Sequence, residues 1–325
     1  MSIKEQVLSI FNNNVGKLIS GKELSFLLGV TRNSIWKAVN ALKREGYDIT
    51  SHASHGYILN RGIDLFSEIE IKKHLKFDAD IIIYDKAASS NDIAKALAQE
   101  GAKEFTVVVV KSQTKGKGRL GRSFISSSEG GLYFTLVLRP KIPADKALDI
   151  TILSAVAVSD AIKKTSGKDA QIKWVNDVYI NDKKCAGILT EAQLNFEIGT
   201  LDFAVAGIGI NIVPPQNGFD EEISKIATSI YEKNAPCGYK AYLLAEILNN
   251  IFHYYNNIGK REYIKPYKEK SLIIGKEVDV YIGNEIILGK AIDIDENAHL
   301  IVETKDGIKS FSSGEARVRK KGTTL

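Results

Sequence analysis

Residues 116–122 read Gly-Lys-Gly-Arg-Leu-Gly-Arg, three glycines interleaved with three cations. Glycines let backbone N–H groups converge on one point, and Lys117, Arg119 and Arg122 add full charges to the same loop. The chemistry of the stretch is therefore anion binding. Its glycines fit three templates: the G-x-G-x-x-G dinucleotide fingerprint, a P-loop with Arg122 where lysine should stand, and a kinase-type glycine-rich loop. The first two need a helix directly after the glycines, because its N-terminus holds the phosphate. Here the following "FISSSEGGLYFTLVL" reads as strand, turn, strand. No kinase catalytic-loop or metal-binding signature lies downstream. All three matches are read as accidental, and on the loop alone a solvated charged turn is the equal alternative.

Other clusters break that tie. "KWVND" places Lys173, Asn176 and Asp177 at a strand end, and "KKCAGIL" sets Lys184 just before the small residues Ala186 and Gly187. "GIGIN" puts Gly207, Gly209 and Asn211 in an otherwise apolar strand, where glycine often marks close backbone approach. Each cluster alone is more often structural than functional. Together with the loop they describe a cationic, glycine-lined cleft. No Ser-His-Asp or Cys-His constellation accompanies it. The five histidines and two cysteines show no zinc spacing.

The elements that must hold this cleft follow from pattern. "DIIIYDKAASSNDIAKALAQEGAKEFTVVVVKSQ" predicts strand, helix, strand, with Ser89 or Ser90 capping the helix and Gly101 closing it. "GGLYFTLVLRP" is a strand, residues 146–165 repeat at helical spacing, and Asn181-Asp182 is a hairpin turn. After Pro214-Pro215 two helices run to about Tyr263. Hairpin links dominate, so a mixed sheet with helices on one face is expected. From Leu272 short strands punctuated by Gly283-Asn284, 295–297 and Asp306-Gly307 suggest a small SH3-like β barrel.

The N-terminal "SGKELSFLLGVTRNSIWKAVNALKREGY" reads as a helix-turn-helix. Leu24, Leu27 and Leu28 form one stripe, Gly29 ends the first helix, and Thr31 caps the second. Ile35, Ala38, Val39 and Leu42 line the second helix's inner face, and Gly46 is placed to end it. Its outer face carries Arg32, Asn33, Ser34, Lys37, Asn40, Lys43 and Arg44, the donors and amides that phosphates and base edges require. A hairpin in "YDITSHASHGYILN" is a candidate wing, and a helix over residues 4–11 completes the core. The alternative is a helical interaction module with a wet basic face. The tight turn, basic helix and hairpin together favour DNA.

With 325 residues, two or three domains fit. The chain carries 44 Lys+Arg against 39 Asp+Glu, a net +5, so distribution matters more than total. Two acid-free basic runs, 111–122 and 32–44, suggest two anionic partners. No apolar run approaches ~18 residues, and the N-terminus does not read as a signal peptide. Cys185 and Cys237 suit a reducing cytoplasm without a disulfide framework.

In chain order, Ser89-Ser90-Asn91, "QTKGKGRLGR", "KWVND", "KKCAGIL" and "GIGIN" resemble the biotin protein ligases. With the N-terminal winged helix the whole chain is similar to their bifunctional class, the biotin operon repressor and biotin–[acetyl-CoA carboxylase] ligase. Lys117 stands where the family usually has Arg, Ser90 where it has Thr, and Val175 where it has Pro. Lys117 keeps the charge but loses the bidentate fork. The resemblance implies an α+β architecture: a winged helix-turn-helix (1–64), a mixed-sheet α/β catalytic domain (65–270) and an SH3-like C-terminal domain (271–325).

It also implies ATP and biotin as substrates with Mg²⁺ on the phosphates, and biotinyl-5′-AMP as intermediate. Biotin is then transferred to a lysine of a biotin carboxyl carrier protein, in a cytoplasmic protein that spans no membrane. Operator DNA is the second partner, bound through Thr31, Arg32, Asn33, Ser34, Lys37, Asn40 and Arg44, by a homodimer carrying biotinyl-AMP. Arg119, Lys184, Asp177 and Lys173 are the implied catalytic residues. Biotin falls to Ser89, Ser90, Asn91, Gln113, Gly116, Lys117, Gly118, Arg119, Lys184 and Gly187. ATP falls to Arg119, Arg122, Phe124, Asn176, Asn211 and Arg319. Two other readings stand beside this one. A lipoate ligase shares the chemistry but not the winged helix and SH3-like tail. A repressor without catalysis would not need Arg119, Lys173, Asp177 and Lys184.

Overall fold

The computed structural model describes residues 2–12, 14–44, 47–52, 55–60, 66–126, 130–195, 197 and 199–319. Gly46, expected to end a helix, lies outside them. The chain divides into two compact units: Met1–Phe66 with Pro236–Ala241, and Ser67–Ala235 with Tyr242–Leu325.

In the first unit, α1 (Ile3–Asn12), α2 (Gly21–Leu28) and α3 (Arg32–Arg44) accompany a three-stranded sheet of order β1-β3-β2, with β1 Leu18–Ile19, β2 Ile49–His52 and β3 Gly56–Leu59. The turn between α2 and α3 forms as its residues dictate. Gly29 takes φ 64°, a left-handed cap that costs glycine nothing. The Ser34 N–H donates to Thr31 Oγ1 at 3.2 Å, satisfying one orphan amide of α3. Ile35, Ala38, Val39 and Leu42 are buried with Val7, Phe11 and Leu24. Leu27 departs from the expected stripe: it is 57% exposed, because the short α2 turns a single ridge, Leu24–Leu28, toward the core.

The second unit is built on a seven-stranded sheet of order β4-β5-β6-β10-β9-β8-β7. Its strands are β4 (Ile81–Ala87), β5 (Val107–Gln113), β6 (Gly131–Leu138), β7 (Gln171–Lys173), β8 (Asp177–Ile180), β9 (Lys183–Asn195) and β10 (Thr200–Asn211). Only β4 and β5 run parallel; every other neighbouring pair is antiparallel, so the sheet is mixed. Asn181 (φ 50°) and Asp182 (φ 60°) form the two-residue turn between β8 and β9, both left-handed as a type I′ hairpin demands.

Helices cover both faces, contrary to the one-face expectation. α5 (Ser90–Gln99) meets the face carrying Thr135, whose register partner is Gly207, itself opposite Leu189. α6 (Leu148–Ser166) meets the other face, where Thr151 bonds Thr190 at 2.7 Å. Adjacent strand residues point to opposite faces, so Leu189 and Thr190 fix the two sides. All eight residues of β6 are buried, as a strand covered on both sides requires.

α4 (Glu68–Lys72) precedes the sheet, and α7 (Glu221–Ser224), α8 (Tyr239–Asn256) and α9 (Ile264–Glu269) follow it. Helix thus extends past the expected end near Tyr263, which instead precedes α9 and is fully buried. β11 (Glu277–Ile282), β12 (Glu285–Ile294), β13 (Leu300–Thr304), β14 (Gly307–Phe311) and β15 (Glu315–Val318) close the chain as an antiparallel sheet of order β14-β13-β12-β11-β15. One bond ties it to the segment after β7, Trp174 Nε1 donating to the Ala298 carbonyl at 3.0 Å, and α9 holds the same segment through Tyr267 Oη, which donates to the Val175 carbonyl at 2.9 Å. No helix among the described residues is long and apolar enough to cross a membrane.

Candidate active site

A cleft of about 470 Å³, its open mouth included, lies on the α5 face of the large sheet. Its floor is made of missing side chains. A Cβ on Gly207 would run into the Asn91 amide, one on Gly209 would sit 2.7 Å from the Phe124 ring, and one on Gly187 would sit 3.1 Å from Lys184 Nζ. The strand glycines are there because the groups above the sheet come down onto the backbone.

One end wall is the start of α5. Ser89 occupies the N-cap position but makes no cap bond with its side chain. The orphan N–H of Ser90 donates instead to Gln113 Oε1 at 2.8 Å, and Gln113 Nε2 donates to Ser126 Oγ at 3.0 Å. The capping role expected of a serine thus belongs to Gln113, which ties α5 to the end of β5. Thr135 Oγ1 lies 2.7 Å from both Ser90 Oγ and Asn91 Oδ1. Asn91 Nδ2 donates to Glu191 Oε2 at 2.9 Å, so this buried amide is already occupied by protein. Burial alone would raise the Glu191 carboxyl, but bonds from Asn91 and Lys95 bring it below the ordinary value.

The glycine-rich loop is a small hairpin rather than a helix start. Gly118 N–H donates to the Arg122 carbonyl at 2.7 Å and Phe124 N–H to the Gly116 carbonyl at 2.9 Å. Leu120 (φ 56°) and Gly121 (φ 72°) turn the tip. After it, only Ser123 bridges back to Lys117, so the strand expected from Phe124 is absent among the described residues. Gly116 faces the Phe124 carbonyl and Ser126 Oγ so closely that any side chain would collide.

Three cations line the cleft and a fourth, Arg122, stands at the loop's end; three of the four already have acids. Lys117 pairs with Asp92, Lys184 Nζ lies 2.7 Å from Asp177 Oδ1, and Arg122 lies 2.5 Å from Glu315 Oε2. The Lys184 contact is one of charge, since Asp177 Oδ1 receives no well-directed hydrogen bond. Arg119 differs. Its guanidinium donates to Asn176 Oδ1 at 3.0 Å and at the long limit of 3.5 Å to the Gly314 carbonyl, both neutral. Burial lowers its affinity for a proton, with Asp177 the largest opposing charge. Among the described residues no carboxylate pairs with it. A part-buried cation held by neutral oxygens is an electrostatic deficit that an incoming anion would fill.

Lys173 stands opposite Asp177 in the β7–β8 ladder, with Nζ 5.6 Å from the Tyr179 ring centroid. Its pKa too is lowered by burial. Asn176 Nδ2 donates to the Ile188 carbonyl at 2.9 Å, which aims its oxygen at Arg119. The Trp174–Val175 peptide before it is cis. Glu315 also accepts from Arg317 at 3.0 Å; burial would raise its carboxyl, but the two arginines hold it at about 2.

Of the residues singled out from sequence, Ser89, Ser90, Asn91 and Gln113 line the cleft beside the loop's Lys117, Gly118 and Arg119. Phe124, Asn176, Lys184 and Gly187 line it as well. Asp177 and Lys173 sit directly behind, through Lys184. Three stand apart. Arg122 is turned to Glu315, Asn211 donates to the Thr228 carbonyl at 3.1 Å, and Arg319 donates Nε and Nη2 to one oxygen, Asp279 Oδ1, at 2.8 and 2.7 Å. From the "GEARVR" stretch it is Gly314 and Glu315, not Arg319, that reach the loop. In the first unit Thr31, Arg32, Asn33, Lys37 and Arg44 are exposed, and Ser34 and Asn40 half-buried. Sequence reading missed Glu191, Thr135 and Glu315, whose partners lie 44 to 193 residues away in the chain.

Fold and cleft define a class: a helix-turn-helix module joined to an anion-binding mixed-sheet unit with a small antiparallel sheet behind it. Residues 85–211 match the Biotin/lipoate A/B protein ligase family, residues 4–58 an HTH domain, and residues 273–319 the Biotin protein ligase C terminal domain. The chain belongs to the biotin protein ligase family, in its bifunctional ligase/repressor class. It is 33% identical over 320 residues to the Bifunctional ligase/repressor BirA of Bacillus subtilis (strain 168), covering 97% of this chain and 98% of that one. The protein of the same name from Escherichia coli (strain K12) is 25% identical over 94% of each chain. Among solved structures, the biotin protein ligase from Aquifex aeolicus in complex with biotin and ATP superposes with a TM-score of 0.62. It is 29% identical and covers 74% of this chain and 99% of that one.

Proposed function

We infer that the protein is an ATP-dependent biotin–protein ligase and a biotin-responsive repressor of transcription. The observation that carries the ligase half is Arg119, a part-buried guanidinium over a glycine floor with only neutral partners. In the first half-reaction the biotin carboxylate attacks the α-phosphorus of MgATP and pyrophosphate leaves. In the second, a lysine amine of a biotin carboxyl carrier protein attacks the acyl carbon of biotinyl-5′-AMP, and AMP leaves with the bond electrons.

No nucleophile of the enzyme is needed, so its task is positioning and charge stabilisation. The biotin carboxylate and the triphosphate repel each other. Arg119 offsets that charge, and Lys184, Lys117 and Arg122 exchange their acids for ligand oxygens. Ser89, Ser90 and Gln113 face the ureido ring, and Phe124 walls the adenine. Asp177, released from Lys184, orients or deprotonates the incoming amine. Mg²⁺ would arrive on the phosphates, whose oxygens with water supply most of its ligands.

The repressor half rests on α3, whose outer face carries Arg32, Lys37 and Arg44 with no acid between residues 32 and 44. A dimer that forms with biotinyl-AMP doubles the phosphate contacts and reads a two-fold operator. Labelled biotin or lipoate, incubated with MgATP and an apo carrier domain, tests the ligase. Transfer of biotin and not lipoate is expected. Lipoate transfer, or none of either, overturns the reading.

A further inference from the structure

α3 carries a residue that its core does not use. Trp36 is 55% exposed, while Ile35, Ala38, Val39 and Leu42 supply the helix's whole buried side. Positions three and four apart are neighbours on a helix surface, so Trp36 lies beside Arg32, Asn33 and Asn40, with Lys37 next to it in the chain. Leaving an indole in water forfeits the burial that a tryptophan would gain inside. Here it sits in the middle of a cationic face that no acid interrupts. Phosphate oxygens would satisfy the cations around it and can accept the indole N–H, but the apolar face of the ring needs a partner of another kind. What it fits is the apolar spot of the major groove, the thymine 5-methyl group.

We propose that Trp36 is a sequence-reading residue, packed against thymine methyls in the major groove while its cationic neighbours hold the backbone. This rests on the DNA-binding half of the proposed function and adds what that half reads. The protein supplies its own reporter. It has two tryptophans, and the other, Trp174, is 3% exposed with its N–H bonded to the Ala298 carbonyl. Emission quenched by acrylamide therefore comes from Trp36.

The probe is a duplex enriched from a random library by the full-length protein with biotin and MgATP. Each thymine in it is then replaced in turn by uracil, which deletes one methyl and leaves the protein untouched. At one or two positions per half-site the wild type should bind about fourfold more weakly, the loss expected for one buried methyl. Trp36→Ala should bind the thymine and uracil duplexes alike, and Trp36→Phe should keep part of the preference. Acrylamide quenching should fall when the duplex is bound. Indifference of the wild type to every uracil, an undiminished methyl effect in Trp36→Ala, or unchanged quenching in the complex overturns the proposal with DNA binding intact. Failure to enrich any duplex overturns the DNA-binding reading itself.

Discussion

Arg119→Ala separates the cost of an unmet charge from the gain of meeting it. In the empty protein the side chain makes one good neutral hydrogen bond, to Asn176 at 3.0 Å, and one marginal bond at 3.5 Å. A net hydrogen bond contributes about 1 kcal/mol, and relief of a part-buried cation offsets some of it. The empty variant should therefore unfold within ~1 kcal/mol of the wild type in urea. With the adenylate bound, the same substitution removes a charge-assisted bond of about 1.5–3 kcal/mol. That is a roughly 10- to 150-fold weaker hold on biotinyl-AMP. Free biotin, which carries no phosphate, should lose less. Calorimetric titration with biotin and with a non-hydrolysable biotinyl-AMP analogue measures both affinities. Equal losses for the two ligands would refute the assignment of Arg119 to the phosphate. So would an empty variant destabilised by several kcal/mol, which would mark Arg119 as structural.

Gly207→Ala should destabilise the protein by about 1–3 kcal/mol, because the new Cβ collides with an Asn91 amide that Glu191 and Thr135 hold in place; urea denaturation reads this. Asp177→Asn should leave the fold intact and slow carrier biotinylation in single-turnover assays, and wild-type rates of both adenylation and transfer would remove Asp177 from the chemistry. Glu315 has its carboxyl depressed from 4.5 to about 2 in the folded state, so its link to Arg122 and Arg317 is fully present above about pH 4.5 and lost as pH falls toward 2. The shift bounds this contribution at ~3 kcal/mol, less after screening at the half-exposed arginines, and Glu315→Gln should flatten that part of the acid-unfolding curve. Lys37→Ala should weaken operator binding across all sequences and reduce the log–log salt slope by about 0.9 per protomer, about 1.8 for the dimer, as measured by anisotropy from low to physiological salt.

What could be read in the sequence was whatever is decided within a few residues. Asn181-Asp182 specifies a type I′ turn on its own, and Gly29 with Thr31 specifies the break between α2 and α3. The apolar run Gly131–Leu138 even carried the sign that β6 is covered on both faces, since it does not alternate. Its meaning was missed because hairpin links suggested a sheet with one wet side. The cleft residues were legible as a set of motifs, but not their partners. Nothing near Arg122 announces Glu315, and nothing near Asn91 announces Glu191, because those pairings depend on how strands register across the sheet. Arg319 shows the converse. Its motif pointed to the site, but Asp279 on β11, which stands opposite Arg317 in the ladder, takes the Arg319 guanidinium first.

The ion pair between Lys184 and Asp177 has a bearing on timing. While the two share their charges, each partly cancels the other's field over the empty cleft. Arrival of a strong anion draws the ammonium away and leaves the carboxylate unshared. On the mechanism proposed above, the carboxylate assigned to the second half-reaction would thus be freed by the product of the first. An enzyme that must hold a hydrolysable mixed anhydride until its protein acceptor docks gains from such an interlock, because it needs no moving domain to count its steps. The interlock is as short as one hairpin, Asp177 on β8 and Lys184 on β9, set opposite Gly187 and Tyr179 across a ladder turned at Asn181-Asp182.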